Sequence, residues 1–93
     1  MTRHAPAVSS CEITITNPLG LHARPAAQFV KHALRFRAEL WIIKDGQRYS
    51  ASSLIEILRA NLDQGSTAIL EASGRDADEA IASLCQLIRE FKE

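Results

Sequence analysis

Residues 11–31 read CEITITNPLGLHARPAAQFVK, and the hydrophobic pattern changes its period once along this stretch. The first six residues alternate, with Cys11, Ile13 and Ile15 on one face, which predicts a half-buried strand over residues 11–16. Asn-Pro-Leu-Gly then breaks the alternation. From Ala23 onward, apolar residues recur at three- and four-residue steps, which predicts a helix of about four turns. These apolar residues are Ala26, Phe29, Val30, Ala33, Leu34 and Phe36.

A hairpin and a short helix are predicted next. The segments AELWII (38–43) and RYSA (48–51) flank KDGQ, whose Asp-Gly pair is favoured in tight hairpin turns. Ser53 precedes Glu56 by three residues, which is the spacing of a capping box. The sequence therefore predicts strands two and three, followed by a second helix that runs to about Leu62.

The last third of the chain predicts one more strand and one more helix. Gly65 is a candidate helix stop, and TAILEA (67–72) alternates as a fourth strand. Asp76 and Glu79 have the spacing of another cap, and an apolar stripe follows them at helical spacing. The order βαββαβα predicts an α+β, two-layer sandwich. The stripe consists of Ala77, Ala80, Ile81, Leu84, Ile88 and Phe91.

Composition limits the function classes. Ninety-three residues allow one modest core, which we assign to residues 11–93 after a flexible leader, 1–10. Eleven basic and eleven acidic side chains cancel, so neither nucleic acid nor an anionic membrane is an expected partner. Cys11 and Cys85 are expected to be free buried thiols, although a bridge between them stays open. Two cysteines and the lack of an apolar N-terminal block predict a cytoplasmic protein.

His22 and Arg24 are the candidate chemical groups, because they fall where the first loop becomes the first helix. Free amides and the positive end of the helix dipole favour an anion there, and the Arg24 guanidinium suits phosphate oxygens. An imidazole can attack phosphorus as a neutral nucleophile near pH 7. The alternative is an ordinary surface histidine beside a solvated arginine. His4 and His32 are poorly spaced for a metal site with His22, so neither a metal nor a cofactor is expected.

The segment GLHARPAAQFVK (20–31) resembles the active-site segment of the HPr family, the histidine-containing phosphocarriers of the sugar phosphotransferase system. The likeness continues through the Asp-Gly hairpin, the Ser-Ala-x-Ser-Leu start of helix two and the final helix. It implies an open-faced sandwich, with a four-stranded antiparallel sheet and three helices on one side. It also implies a phosphoryl-transfer carrier rather than a turnover enzyme.

By that resemblance, His22 would accept phosphate on Nδ1 from enzyme I and pass it to an enzyme IIA. Arg24 would steady the phosphoryl group, together with the backbone amides of Ala23 and Arg24. The partner-docking patch of the family aligns with Ala27, Leu54, Ile55 and Arg59, although on a short helix some of these could be core. We expect a monomer.

Ser53 aligns with the serine that a kinase phosphorylates in some members of the family. Glu56 would repel a phosphate placed on its cap partner, so we favour structural capping of helix two over regulation. The alternative function is a regulatory adaptor, of the nitrogen-branch or catabolite-control type, in which phosphorylation sets partner binding.

Overall fold

The computed structural model describes residues 8–92, so most of the predicted leader, residues 1–7, lies outside the described residues. The element order is βαββαβα, as predicted. The strands are β1 (Val8–Thr14), β2 (Glu39–Lys44), β3 (Gln47–Ser50) and β4 (Thr67–Ser73), and the helices are α1 (Ala23–Ala33), α2 (Leu54–Arg59) and α3 (Ala77–Glu90).

The four strands form one antiparallel sheet in the order β1-β4-β2-β3. The inward faces of β2 and β4 carry Leu40, Ile42 and Leu70, which are at most 2% exposed. Three helices cover this face, and the open-faced α+β sandwich predicted from the sequence is confirmed. The core holds Phe29 of α1, Ile57 of α2 and Leu84 of α3, all fully buried.

Several element ends differ from prediction because local contacts override periodicity. β1 begins at Val8, three residues earlier than expected, because Val8 pairs with Ser73 of β4. α1 ends at Ala33, which leaves the predicted core residue Leu34 63% exposed. α2 ends at Arg59 rather than Leu62, since Asn61 adopts a left-handed φ of 57°. Gly65, the expected helix stop, lies instead in the turn before β4.

Asp76 precedes α3 as predicted, but its side chain does not cap that helix. The two carboxylate oxygens accept the backbone N–H groups of Arg37 and Ala38, at 2.9 and 2.8 Å. The hydrogen bond from Arg37 is the main cause that holds the pKa of Asp76 below its ordinary value. The ionised carboxylate therefore ties the α1–β2 connection to the start of α3, a contribution that is lost as pH falls through that lowered pKa.

Cys11 and Cys85 form a disulfide across 74 residues, so the preferred expectation of free thiols is wrong. Cys11 shares the inward face of β1 with Ile13, and Cys85 lies on the buried side of α3. Because α3 packs on β1, the fold brings together two cysteines whose separation in sequence gives no such indication.

Candidate functional site

The loop before α1 is held in place on two sides. Buried Asn17 donates its Nδ2 to the carbonyl oxygen of Gly20 at 2.6 Å, and the Gly20 N–H donates to the carbonyl of Asn17 at 3.0 Å. Leu21 is buried, and its N–H donates to the carbonyl oxygen of Leu62 at 2.8 Å. The loop that carries the candidate nucleophile is thus fixed both to itself and to the α2–β4 connection.

Gly20 is required for this close approach. Its φ is +67°, which side chains rarely adopt, and a Cβ at this position would lie 2.5 Å from the Leu62 carbonyl oxygen and 2.8 Å from the Asp63 Cα. The clash would be with backbone atoms, which cannot rotate away as a side chain can. Only glycine therefore allows the loop to contact the α2–β4 connection at this distance.

His22 is the N-cap of α1, with extended backbone angles (φ −78°, ψ −170°). Its carbonyl oxygen accepts the N–H of Ala26, so the backbone enters the helix, but its side chain makes no capping hydrogen bond. The ring is half-buried, and Nε2 is enclosed without a hydrogen-bond partner in the described residues. The His22 ring thus leaves the cap unmade, and Nε2 is a buried nitrogen of that ring.

Arg24 and Pro25 complete the first turn. Pro25 is buried and lacks an N–H, which costs no intrahelical bond at this position. The amides of Ala23 and Arg24 belong to the first turn, where no helical carbonyl can accept them. Arg24 is exposed and lines a cleft with Gln28, Glu90, Phe91 and Lys92, at the C-terminal end of α3. Arg24 therefore lies in the first turn of α1, close in sequence to His22, and borders the end of α3.

Ser53 caps α2, as the capping box predicts. Its Oγ accepts the N–H of Glu56 at 3.3 Å. The Glu56 carboxylate reaches back to the N–H of Ser50, at 2.8 Å, rather than to the N–H of Ser53. The carboxylate is thereby fixed beside the capping serine, where it opposes a second negative charge.

A mostly apolar surface lies on α2 and the loop before α1. Of the six residues of α2, only Ile57 is buried, so Leu54 (39% exposed) and Ile55 (69%) are not core. Ala27 and Arg59, also predicted for docking, are exposed. Two further residues, Leu19 and Leu58, are exposed as well. We call the six residues together the α2 patch: Leu19, Ala27, Leu54, Ile55, Leu58 and Arg59.

Leu19 and Leu58 line a small cleft that also contains His22, Leu62 and Asp63. Sequence reasoning missed both leucines. Leu19 sits between Pro18 and Gly20 and has no periodic neighbour, and Leu58 fits the apolar run of α2 and is easily taken for core. The cleft joins the candidate nucleophile to the α2 patch.

The family model described as "PTS HPr component phosphorylation site" matches residues 9–90. The chain belongs to the HPr family. The HPr of Buchnera aphidicola subsp. Acyrthosiphon pisum is 44% identical, over 87% of this chain and 95% of its own. The phosphocarrier NPr of Shewanella violacea is 38% identical, over 83% of this chain and 85% of its own. HPr-C-His from Thermoanaerobacter tengcongensis superposes with a TM-score of 0.85 at 41% identity, covering 87% of this chain and 91% of that one.

As a member of the HPr family, this chain is a phosphocarrier of the phosphotransferase system. In the described residues, no helix is long and apolar enough to cross a membrane. Two further features of this chain lie outside the loop before α1: Glu56 lies beside the capping serine, and a disulfide joins β1 to α3.

Proposed function

We propose that His22 is the residue that carries the phosphoryl group, accepting it on Nδ1 from phosphorylated enzyme I and giving it to a histidine of an enzyme IIA. The observation that carries the proposal is the His22 ring itself. It stands at the N-cap of α1 without capping it, and its Nε2 is enclosed and unpartnered. Nδ1 is then the nitrogen that a phosphoryl donor can reach. The proposal places this reaction in the cytoplasm.

Transfer is an exchange of one N–P bond for another. The Nδ1 lone pair attacks the phosphorus held by the donor histidine, the new N–P bond forms, and the donor bond breaks as its electrons return to the donor ring. In the attacking tautomer the ring proton is on Nε2, away from the phosphorus. The phosphorylated His22 ring keeps that proton, and the donor ring departs as a neutral imidazole because its other nitrogen is protonated, so atoms and charge balance. Return of the phosphoryl group to an acceptor histidine follows the same path in reverse.

Charge stabilisation accompanies this displacement. The transition state is loose, with charge spread over the equatorial phosphoryl oxygens, so positioning and electrostatics supply most of the catalysis. The first-turn amides of Ala23 and Arg24 and the positive end of the α1 dipole lie where these oxygens would gather. The Arg24 guanidinium adds a charged, forked donor. We propose that these groups hold the phosphoryl group on His22.

Arg24→Ala is expected to slow phosphoryl transfer in both directions by roughly 10- to 100-fold, without abolishing it. A hydrogen bond from a charged group contributes about 1.5–3 kcal/mol, and the helix amides remain in the variant. Rapid-quench measurements with enzyme I and with enzyme IIA give both rates. Arg35→Ala, at an exposed position beyond the end of α1, is the matched control and should behave as wild type. Wild-type kinetics for Arg24→Ala would remove Arg24 from the site.

We propose that the α2 patch is the docking surface for both enzyme I and enzyme IIA. The chain would bind each of them as a monomer. The α2 patch combines exposed leucine and isoleucine side chains with the cation Arg59, and it continues into the cleft that holds His22. A partner that covers this patch would exclude water from the His22 ring and align its own histidine with Nδ1. The regulatory adaptor is the second candidate function, supported by the similarity to Crh, the Bacillus subtilis catabolite repression HPr. It would use the same surface.

A serine kinase that phosphorylates Ser53 is a further proposed partner. This role of Ser53 competes with its role as the cap of α2. Ser53→Ala should lower the free energy of unfolding by about 0.5–2 kcal/mol and leave transfer at His22 intact, because it removes the cap of α2. Ser52→Ala, next to it at an exposed position, is the control and should be neutral. Chemical denaturation measures both. A Ser53→Ala variant as stable as wild type would contradict the capping role.

Ser53→Asp separates capping from regulation, because aspartate is also a good N-cap. If capping is the only role, the rate of transfer from enzyme I should match wild type, and the free energy of unfolding should lie between those of wild type and Ser53→Ala, because the good cap is partly offset by repulsion from Glu56. A stable variant with weakened binding to enzyme I would instead support regulation by negative charge on the α2 patch.

A further inference from the structure

The two cysteines of this chain join its first strand to its last helix. Cys11 lies near the middle of β1, opposite Leu70 of β4, and Cys85 lies in α3. Within residues 8–92, β1 is an edge strand whose single strand neighbour is β4. The Cys11–Cys85 disulfide is therefore a covalent link between an edge of the sheet and the helix layer, in addition to the hydrogen bonds with β4.

Cys85 lies at the edge of the core, where a surface cleft meets α3. Cys85 is 9% exposed and Cys11 is half-buried. A surface cleft beside β1 is lined by Cys85 together with Glu12, Thr14, Ile88 and Arg89. The pair therefore borders a cleft that gives a small thiol or disulfide a path of approach.

We propose that Cys11 and Cys85 are a reversible redox pair that staples β1 to α3 when the chain meets a small-molecule disulfide. One cysteine thiolate attacks the small disulfide, forms a mixed disulfide and releases one small thiolate. The second cysteine thiolate then attacks the protein sulfur of the mixed disulfide and releases the other. Two cysteine thiols are oxidised, one small disulfide is reduced to two thiols, and two protons go to solvent. An excess of the small thiol reverses both steps.

The staple would act on stability rather than on phosphoryl transfer. Closing a loop across 74 residues removes much of the freedom of the unfolded chain. Neither cysteine is among the residues that line the clefts beside His22 and Arg24. The proposal is therefore independent of the proposed role of His22, and it adds to this carrier a response to the thiol redox state of its surroundings.

The first test uses the purified full chain equilibrated with oxidised or reduced glutathione. In the oxidised sample, we expect the intact mass to fall by two hydrogens, the free thiol count to fall to zero, and the melting temperature to rise by about 10 °C or more. Reduced glutathione should reverse all three while the circular dichroism spectrum stays native. Two glutathione adducts, covalent dimers, an unchanged melting temperature, or reduction only in denaturant would each overturn the proposal.

The second test locates the effect by amide hydrogen exchange. Oxidation should slow exchange more in β1 (Val8–Thr14) than in β3 (Gln47–Ser50), the other edge strand, because only β1 gains the covalent link. Cys11→Ser and Cys85→Ala each leave one thiol, so their melting temperatures should not respond to the glutathione ratio. A response that persists in Cys11→Ser, the half-buried position, would show that the pair is not its source. Equal slowing of β1 and β3 in wild type would contradict a local staple.

Discussion

His22→Ala is expected to lose all phosphoryl uptake from phosphoenolpyruvate and enzyme I while the domain remains folded. No other described side chain stands at the start of α1 with a ring nitrogen available for attack. The fold should survive because the ring is half-buried and makes no hydrogen bond that the core needs. The measurement is incorporation of labelled phosphate that is acid-labile and base-stable, together with a melting curve of the same sample.

His32→Ala is the matched control for that experiment. His32 lies in the last turn of α1, and its Nε2 is 2.8 Å from the Ser83 hydroxyl of α3. Its loss removes a contact between two helices but leaves the proposed nucleophile in place. We expect full uptake by His32→Ala. Full uptake by His22→Ala, or its loss in both variants, would contradict the assignment of the nucleophile.

Gly20→Ala is expected to be the most destabilising single substitution in the loop before α1. The new Cβ would meet the Leu62 carbonyl oxygen and the Asp63 backbone at distances that atoms do not tolerate. A left-handed non-glycine residue costs about 1–3 kcal/mol and overpacking costs about as much again, so we expect a loss of roughly 3 kcal/mol or more. That is a large share of the ~5–14 kcal/mol that a domain of this length has in total.

Gly46→Ala separates the two costs. Gly46 also has a positive φ, +78°, but a Cβ there would meet nothing within 4 Å. Only the backbone penalty, about 1–2 kcal/mol, is expected at this hairpin turn. Urea denaturation of both variants gives the comparison. Equal losses for the two alanine variants would show that the loop can move away from the α2–β4 connection at no cost.

Gly20→Ala should also slow phosphoryl transfer in the fraction that remains folded, because the displaced loop carries His22 into α1. Gly46→Ala should transfer at the wild-type rate. Slower transfer in Gly20→Ala alone would show that the contact between the loop and the α2–β4 connection positions His22.

Periodicity, together with the Asp-Gly turn and the capping box, predicts the element order, because most of the strands and helices have one buried face. Thr67 to Ala72 alternate, and the structure buries Ala68, Leu70 and Ala72. Element ends are harder to predict, since they depend on partners distant in sequence. Val8 belongs to β1 because Ser73 pairs with it, and no local pattern indicates that.

The same distinction between local patterns and contacts distant in sequence applies to the candidate site. The position of His22 and Arg24 at the start of α1 follows from a local pattern, whereas their chemical role rests on the resemblance to the HPr family and stays a prediction. The cap supplied by Ser53 is predictable from its distance to Glu56. The contribution of Leu19 to the cleft arises only when the loop meets α2. The Cys11–Cys85 pairing arises only when α3 packs on β1, and the carboxylate of Asp76 finds its amide partners across the fold rather than in its own helix.

The most direct test of the central claim is to phosphorylate the wild-type chain with phosphoenolpyruvate and enzyme I and then to locate the phosphoryl group. Intact mass spectrometry under basic conditions counts the groups, and peptide mapping with nitrogen NMR identifies the residue and the ring atom. We expect one phosphoryl group per chain, on Nδ1 of His22. No uptake, or a phosphoryl group on His32, on Ser53 or on Nε2 of His22, would contradict it.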